Sequence, residues 1–494
     1  MERKVIIGQS NVYSYSSPET LFRPSVVYPE YQFKEDIATQ DNTLYDLFRN
    51  TLILGEYDRE NIGKSTWNPL GDYVHPGDTV LVKPNFVMDH NPTGEGVECL
   101  FTQPGLISAV IDYILIAFKD VPGKIIVGDA PMQECNFEHL VEESGLDVMI
   151  AYYKGKGVDI ELVDFRGLKS TIIHGIYHSA ESEITNGTII DLGSASEFRE
   201  FTGEEIKRLR ITNYNPTLLP KHHSVDRHEY FVSNYLLSAD VVINMPKPKT
   251  HRKAGITGAL KNMVGINVRK EFLPHHTMGA KESDVGDEYL KEDKMKALSS
   301  WFKDKQNYAM STGKYVQAQI LKTMARVFFY ADRAISKDHF SQGSWYGNET
   351  ISRTICDLNK ILLFADKKGV MNERPQRRLF IVADMVVSGE KEGPVEPSKK
   401  DVGIIALADN AVVFDECIAP IMGVDAKDIP TIRNARKVTG KYQLVKENEY
   451  GEIVSNDHRW NGKKSFEISK DNSLCYIPSS GWRKVFYATQ SERV

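Results

Sequence analysis

At 494 residues the chain is long enough for a large core, about three domains' worth by length alone, with 41% hydrophobic and 26% charged residues and a net charge of −6. Such values sit near the soluble globular average, and a mildly acidic chain lacks the global positive field of a nucleic-acid or membrane binder. No apolar run approaches the ~18–20 residues that span a bilayer, and the start "MERKVIIGQSNVYSYSS" lacks a signal peptide's apolar core, so a cytoplasmic protein without membrane insertion is expected.

The first clear element is "DTVLVKPN", a strand closing at Lys83-Pro84-Asn85. A helix follows in "TQPGLISAVIDYILIAF", with Thr102 as expected N-cap and Pro104 in its first turn. "GKIIVGDAP" is a second strand, closing at Gly128-Asp129, and "NFEHLVEESG" a helix from Asn136 to Gly145. "ADVVINMPKPK" is a third strand, closing at Pro246. Residues from about 285 to 345 predict helices inserted between sheet elements. "RRLFIVADMVV" and "DVGIIALADN" add strands ending near Asp384 and Asp409, and "DECIAPIMG" a further helix. Most of these runs are apolar on both faces, the pattern of buried parallel strands, and their alternation with helices argues for a layered α/β fold.

The chain therefore divides into a first α/β lobe (1–240), a second carrying the helical insertion (241–440) and a small β-rich cap (441–494) with Tyr-Gly and Asn-Gly turns. The fold class expected is a two-lobed, mostly parallel sheet flanked by helices. Cys99, Cys135, Cys356, Cys417 and Cys475 are scattered and never spaced C-x-x-C. They predict buried thiols, with no disulfide framework, zinc knuckle or iron–sulfur run.

In open α/β sheets, ligands bind outside the carboxyl ends of the strands. Lys83, Asn85, Asp129, Lys247, Lys249, Asp384 and Asp409 all fall at predicted strand ends. The densest signal is "INMPKPKTHRKAGITGALKNMVGINVRK": from Val241 to Lys270 there are seven Lys/Arg, one His and no Asp or Glu. Surface lysines normally alternate with acids, so this block reads as a cradle for an anion, phosphate or carboxylate. Thr257 and Gly258 stand before a short helix whose start would offer free N–H groups, and Lys247, Lys249, Arg252 and Lys261 would add charge. His251, among cations, is held neutral and is the candidate acid/base. His275 and His276 follow closely. The cluster of His222, His223, Asp226 and His228 reads as loop histidines, since neither group has H-E-x-x-H spacing. The G-x-x-x-x-G-K-[ST], G-x-G-x-x-G and G-x-S-x-G motifs are all missing.

The segments "VLVKPN", "IIVGDAP", "ADVVINMPKPKTHRKAGITGALKNMVGI", "IVADMVVSGEKEGP" and "IALADNAVVFDECIAPIMGVD" resemble, in order, those of the bacterial and archaeal family catalogued as domain of unknown function 362, over roughly residues 79 to 425. "SWYGNETISRTICDLNKIL" and "LPHHTMG" resemble a longer branch associated with surface-polysaccharide gene neighbourhoods. The resemblance implies an α/β domain and little chemistry. Some members carry ferredoxin-type clusters, from which this chain's cysteine spacing departs. Its architecture is similar to the lactate racemase type, which holds a nickel-pincer nucleotide between two lobes.

Together these readings predict an enzyme acting on a phosphorylated or carboxylated small molecule. Lys83, Asn85, Lys247, Lys249, Thr257, Gly258, Lys261 and Asn262 would bind the anion, and His251, Lys261 and Lys83 would serve catalysis. Asp129, Asp384 and Asp409, with His275 and His276, form the candidate metal set for a divalent ion such as Mg²⁺; Glu392 is a weaker member. Two alternatives stay open: a non-catalytic carrier of a nucleotide-like or metal cofactor, and an epimerase of the lactate racemase type. Substrate, reaction type, cofactor and oligomeric state are not assigned by the sequence.

Overall fold

The computed structural model describes residues 2–15, 18–20, 22–182, 185–283, 285–335 and 339–490. Of the expected segments, residues 336–338 of the helical insertion and 491–494 of the cap lie outside the described residues. Among those described, ten strands form the main sheet. In chain order they are β1 (Glu2–Gln9), β2 (Thr79–Lys83), β3 (Lys124–Asp129), β4 (Asp159–Asp164), β5 (Val241–Asn244), β6 (Lys249–His251), β7 (Gly255–Thr257), β8 (Arg378–Glu392), β9 (Glu396–Ala408) and β10 (Tyr450–Ser455). Their spatial order is β10-β1-β9-β8-β5-β2-β3-β4, with the β6–β7 hairpin attached beside β8.

The five strands β8, β5, β2, β3 and β4 run parallel, as their two-sided apolar runs predict. Val80, Val82, Ile243 and Val382 pack on one face with helices α1 (Thr43–Leu54) and α2 (Pro104–Phe118). Leu81, Val242 and Ile381 pack on the other. The remaining helices used below are α3 (Phe137–Ser144), α4 (Ala259–Asn262), α5 (Lys294–Ser311), α6 (Tyr315–Ile335), α7 (Thr350–Phe364) and α8 (Ala411–Met422). Helices α7 and α8 cover the second face through Ile355, Leu358, Val413 and Cys417.

Four details differ from the sequence reading. β9 returns antiparallel to β8, because β8 overruns its neighbours and folds back in a long hairpin. The segments 1–240, 241–440 and 441–494 all give strands to one sheet, where β10 lies parallel to β1. Apart from β10, residues 441–490 settle mainly into short 3₁₀ turns. The cap of α2 is Gln103, since the Thr102 hydroxyl is used elsewhere, donating to Met245 O at 2.8 Å and accepting from Asn85 N at 3.0 Å. Asn136 and Asn410 do cap α3 and α8, accepting from helix N–H groups. The five cysteines are free, four of them buried.

Candidate functional site

From β2 the chain steps outward to β3 and β4, then returns to lay β5 and β8 on the other side of β2. The order thus reverses between β2 and β5, and the region beyond the strand ends at such a switch point, called the crevice below, is where open α/β sheets bind ligands. Lys83 ends β2 and Asn244 ends β5, in register. Asn262 of α4 bridges them: its Nδ2 donates to Asn244 Oδ1 (2.8 Å) and Lys83 O (3.1 Å), and its Oδ1 accepts from Lys83 Nζ (3.3 Å). Its role is to pin the crevice floor.

The lysines here fall into two groups. Lys83 Nζ meets Asp129 Oδ1 at 2.8 Å and donates to Pro84 O at 2.7 Å, fully buried. Asp129 also accepts from Phe86 N and Ala130 N, each at 2.8 Å. Lys247 Nζ meets Asp384 Oδ2 at 3.0 Å and donates to Tyr15 OH at 2.7 Å, while Tyr15 OH donates to Asp384 Oδ1 at 2.5 Å. These are closed pairs, with the ammonium neutralised and hydrogen-bonded.

Lys249, Lys253, Lys261 and Lys270 form the second group. Among the described residues, none of the four has a carboxylate within 4 Å. Lys249 is fully buried, donating to Asn85 Oδ1 at 3.0 Å and to Leu100 O. Lys253 reaches Thr212 Oγ1 and Gln342 O, and Lys270 reaches Pro131 O. Lys261 Nζ has no hydrogen-bond partner among the described residues. Burial first, then repulsion from Lys247 and Lys261, pushes Lys249 down to about 7. Burial first, then Lys270, does the same to Lys261, also to about 7. Burial lowers Lys253 and Lys270 to about 8.

His251 lies in this field. Its Nδ1 accepts from the backbone N–H groups of Lys253 (3.0 Å) and Ala254 (3.1 Å), which leaves the ring proton on Nε2. Burial, then Lys261 and Lys249, holds its pKa well below the ordinary value. His251 is therefore a neutral N–H donor, which corrects its reading as acid/base: the nitrogen that would take a proton is occupied by two amides.

The start of α4 is also occupied. Asp415 of α8 accepts from Ala259 N (2.7 Å) and Leu260 N (3.1 Å). A Cβ on Gly258 would come within 2.1 Å of Asp415 Oδ1, so glycine is what lets the carboxylate approach. The anion expected at Thr257–Gly258 is thus a side chain of the protein itself, a partner 156 positions beyond Ala259 that no local pattern announces. Among the described residues Thr257 Oγ1 is left buried and without a hydrogen-bond partner.

The candidate metal set does not assemble. Asp129 and Asp384 are each committed to a lysine. Asp409 ends the antiparallel β9 and so sits at the far edge of the sheet, paired with Arg3 at 2.9 Å. Glu392, at the tip of the β8–β9 hairpin, meets Arg252 at 2.9 Å. His275 donates from Nδ1 to Leu273 O, and His276 is buried, both kept neutral by burial and by Lys253. Among the described residues, no group of three or more His, Cys, Asp or Glu is placed to hold a metal ion. The His222–His228 cluster is structural, with His223 donating to Phe272 O at 2.8 Å. Sequence reading missed Tyr15, Gly265 and Asp415. Gly265 packs so closely that a Cβ there would stand 1.8 Å from Asp129 Oδ1.

The family described as Domain of unknown function (DUF362) matches residues 80–185 and 178–420. The chain belongs to this family. The crevice residues from Lys83 to Asp415 all fall within those bounds. A thylakoid-associated protein, sll1697, of Synechocystis sp. is 25% identical over 223 residues, 45% of this chain and 50% of that protein. The match thus spans half of the relative's length. No solved structure matches the chain. Among the described residues no helix is long and apolar enough to cross a membrane.

Proposed function

We propose that this protein is an enzyme that seats a phosphorylated or carboxylated small molecule over the β2–β5 crevice and moves a proton with a lysine. One observation carries the reading: Lys249, Lys253 and Lys261 act on His251 and Lys270 acts on Lys261, and among the described residues none of the four has a carboxylate within 4 Å, whereas Lys83 and Lys247 are fully paired. Lys249 is buried and the other three half-buried; uncompensated charge withdrawn from water is costly, and an anionic guest relieves it. Lys249 with Asn85, the Nε2–H of His251 and the Thr257 hydroxyl supply donors. Lys261, at about 7 and unpartnered, can give or take a proton near neutral pH. Lys83 positions the crevice through Asp129.

A carrier that binds the same guest without turnover is the second reading, favoured by the commitment of Asp129 and Asp384 to lysines. Calorimetry of the full chain with inorganic phosphate and with acetate tests the anion seat. Binding with proton uptake is expected, weakened at least about tenfold in Lys261→Met. Binding that is indifferent to Lys261 and Lys249 would sink the reading. Enzyme and carrier separate on whether a substrate, once identified from the co-purified molecule, is turned over by the wild type and merely bound by Lys261→Met.

A further inference from the structure

The α5–α6 hairpin presents an apolar face away from its own packing. The two helices meet through Phe302 and Phe328, stacked at 5.4 Å between ring centres, and through Ser299 Oγ, which donates to Ala325 O at 3.0 Å. Elsewhere on α6, Val316, Ile320, Met324, Val327 and Tyr330 follow one another at spacings of four, four, three and three, so they share a single stripe. That stripe is exposed: Val316 is 80%, Ile320 61%, Val327 55% and Tyr330 62% accessible. On α5, Leu298, Trp301 and Tyr308 are exposed at helical spacing as well. Monomeric proteins scatter exposed apolar residues singly, and a continuous stripe of this kind marks a docking surface.

Charge identifies the occupant. Residues 294–335 hold eight Lys/Arg against two Asp/Glu, in a chain whose net charge is −6, and of the eight Lys294, Lys305, Lys314, Arg326 and Arg333 are exposed while Lys296 is buried. One of those acids, Asp304, is paired with Arg210 at 2.8 Å, and Asp332 is buried. Two such hairpins face to face would repel, so a second copy fits poorly. An anionic lipid surface fits both features, since interfacial helices combine an apolar stripe, aromatic residues at headgroup depth and lysine or arginine alongside. We infer that the α5–α6 hairpin docks the protein, without spanning, on the surface of a bilayer containing anionic lipid. The stripe enters the headgroup boundary and the lysines and arginines meet lipid phosphates. This is independent of the crevice chemistry.

The chain carries its own reporter. Of its five tryptophans, Trp67, Trp345, Trp460 and Trp482 are fully buried, whereas Trp301 is 51% accessible and on the hairpin. Full-length protein is mixed with phosphatidylcholine vesicles, with or without about one-third phosphatidylglycerol, and followed by flotation and tryptophan emission. Flotation with the anionic vesicles, a blue shift, and about a tenfold weaker partition for Ile320→Glu/Val327→Glu are expected. Both substituted positions are exposed, so the variant's circular dichroism and melting stay unchanged. Absence of flotation, or equal flotation of wild type and variant, overturns the inference. So does a dimer in solution that the same substitutions dissolve, which would assign the stripe to a second copy.

Discussion

Lys360 and Lys249 are equally hidden from water, yet they stand in opposite electrostatic situations. Lys360, on α7, meets Glu197 at 2.5 Å and Asp357 at 3.3 Å and donates to Ala195 O at 2.7 Å, and its pKa is raised. Lys249 has carbonyl and amide oxygens but no carboxylate, and its pKa falls to about 7. Burial is common to both, and only the missing counter-charge sets Lys249 apart.

The contrast breaks most visibly at the paired end. Lys360→Met leaves Asp357 and Glu197 without their cation and should lower stability by about 3–5 kcal/mol in urea unfolding. A smaller loss would mean that Ser196, Tyr230 and the Glu197 amide satisfy Asp357 alone. Next, Gly265→Ala drives a methyl into the Lys83–Asp129 pair and should cost about 1–3 kcal/mol by the same measurement, weakening phosphate binding with it. Lys249→Met, by contrast, removes an uncompensated charge while keeping most of the stem's volume. Its stability should stay within about 1 kcal/mol of wild type, although phosphate binding is lost.

pH sharpens the comparison further. The unfolded chain keeps its lysines protonated up to about 10.5, whereas the folded Lys249 and Lys261 release protons near 7. Between those values the unfolded state binds more protons, so stability of the free protein rises with pH. The melting temperature should climb from about pH 7 to about pH 9 and flatten in the Lys249→Met/Lys261→Met double variant. Phosphate affinity should run the other way, falling over the same interval as the ammonium groups are lost. The smallest effect is at Thr257→Val: the unpartnered hydroxyl disappears, free-protein stability moves by less than about 0.5 kcal/mol, and phosphate binding weakens modestly.

Much of this was legible along the chain. Apolar runs ending in Lys83, Asp129 and Asp384 located three parallel strands and the edge on which their polar ends gather, because a two-sided apolar strand leaves few other places for charge. The acid-free stretch from Val241 to Lys270 flagged the unpaired lysines for a similar reason. Strand direction was not legible. The apolar half of β9, Val402–Ala408, resembles its parallel neighbours, so only the fold shows that Asp409 ends at the opposite edge. Nor were long-range partners: Asp415 fills the start of α4, and Tyr15 joins Lys247 and Asp384, across separations that no local period encodes.

The placement of β1 has a consequence for biosynthesis. Its hydrogen-bonding neighbours are β9 and β10, so Val5, Ile6 and Ile7 must wait for residues beyond 400 before either side is paired. At about 5–20 residues per second, the nascent β1 segment stays an unpaired, sticky ribbon for roughly 20–80 s on the ribosome. This segment is where a holding chaperone would be needed first, and it is among the last to join the finished sheet.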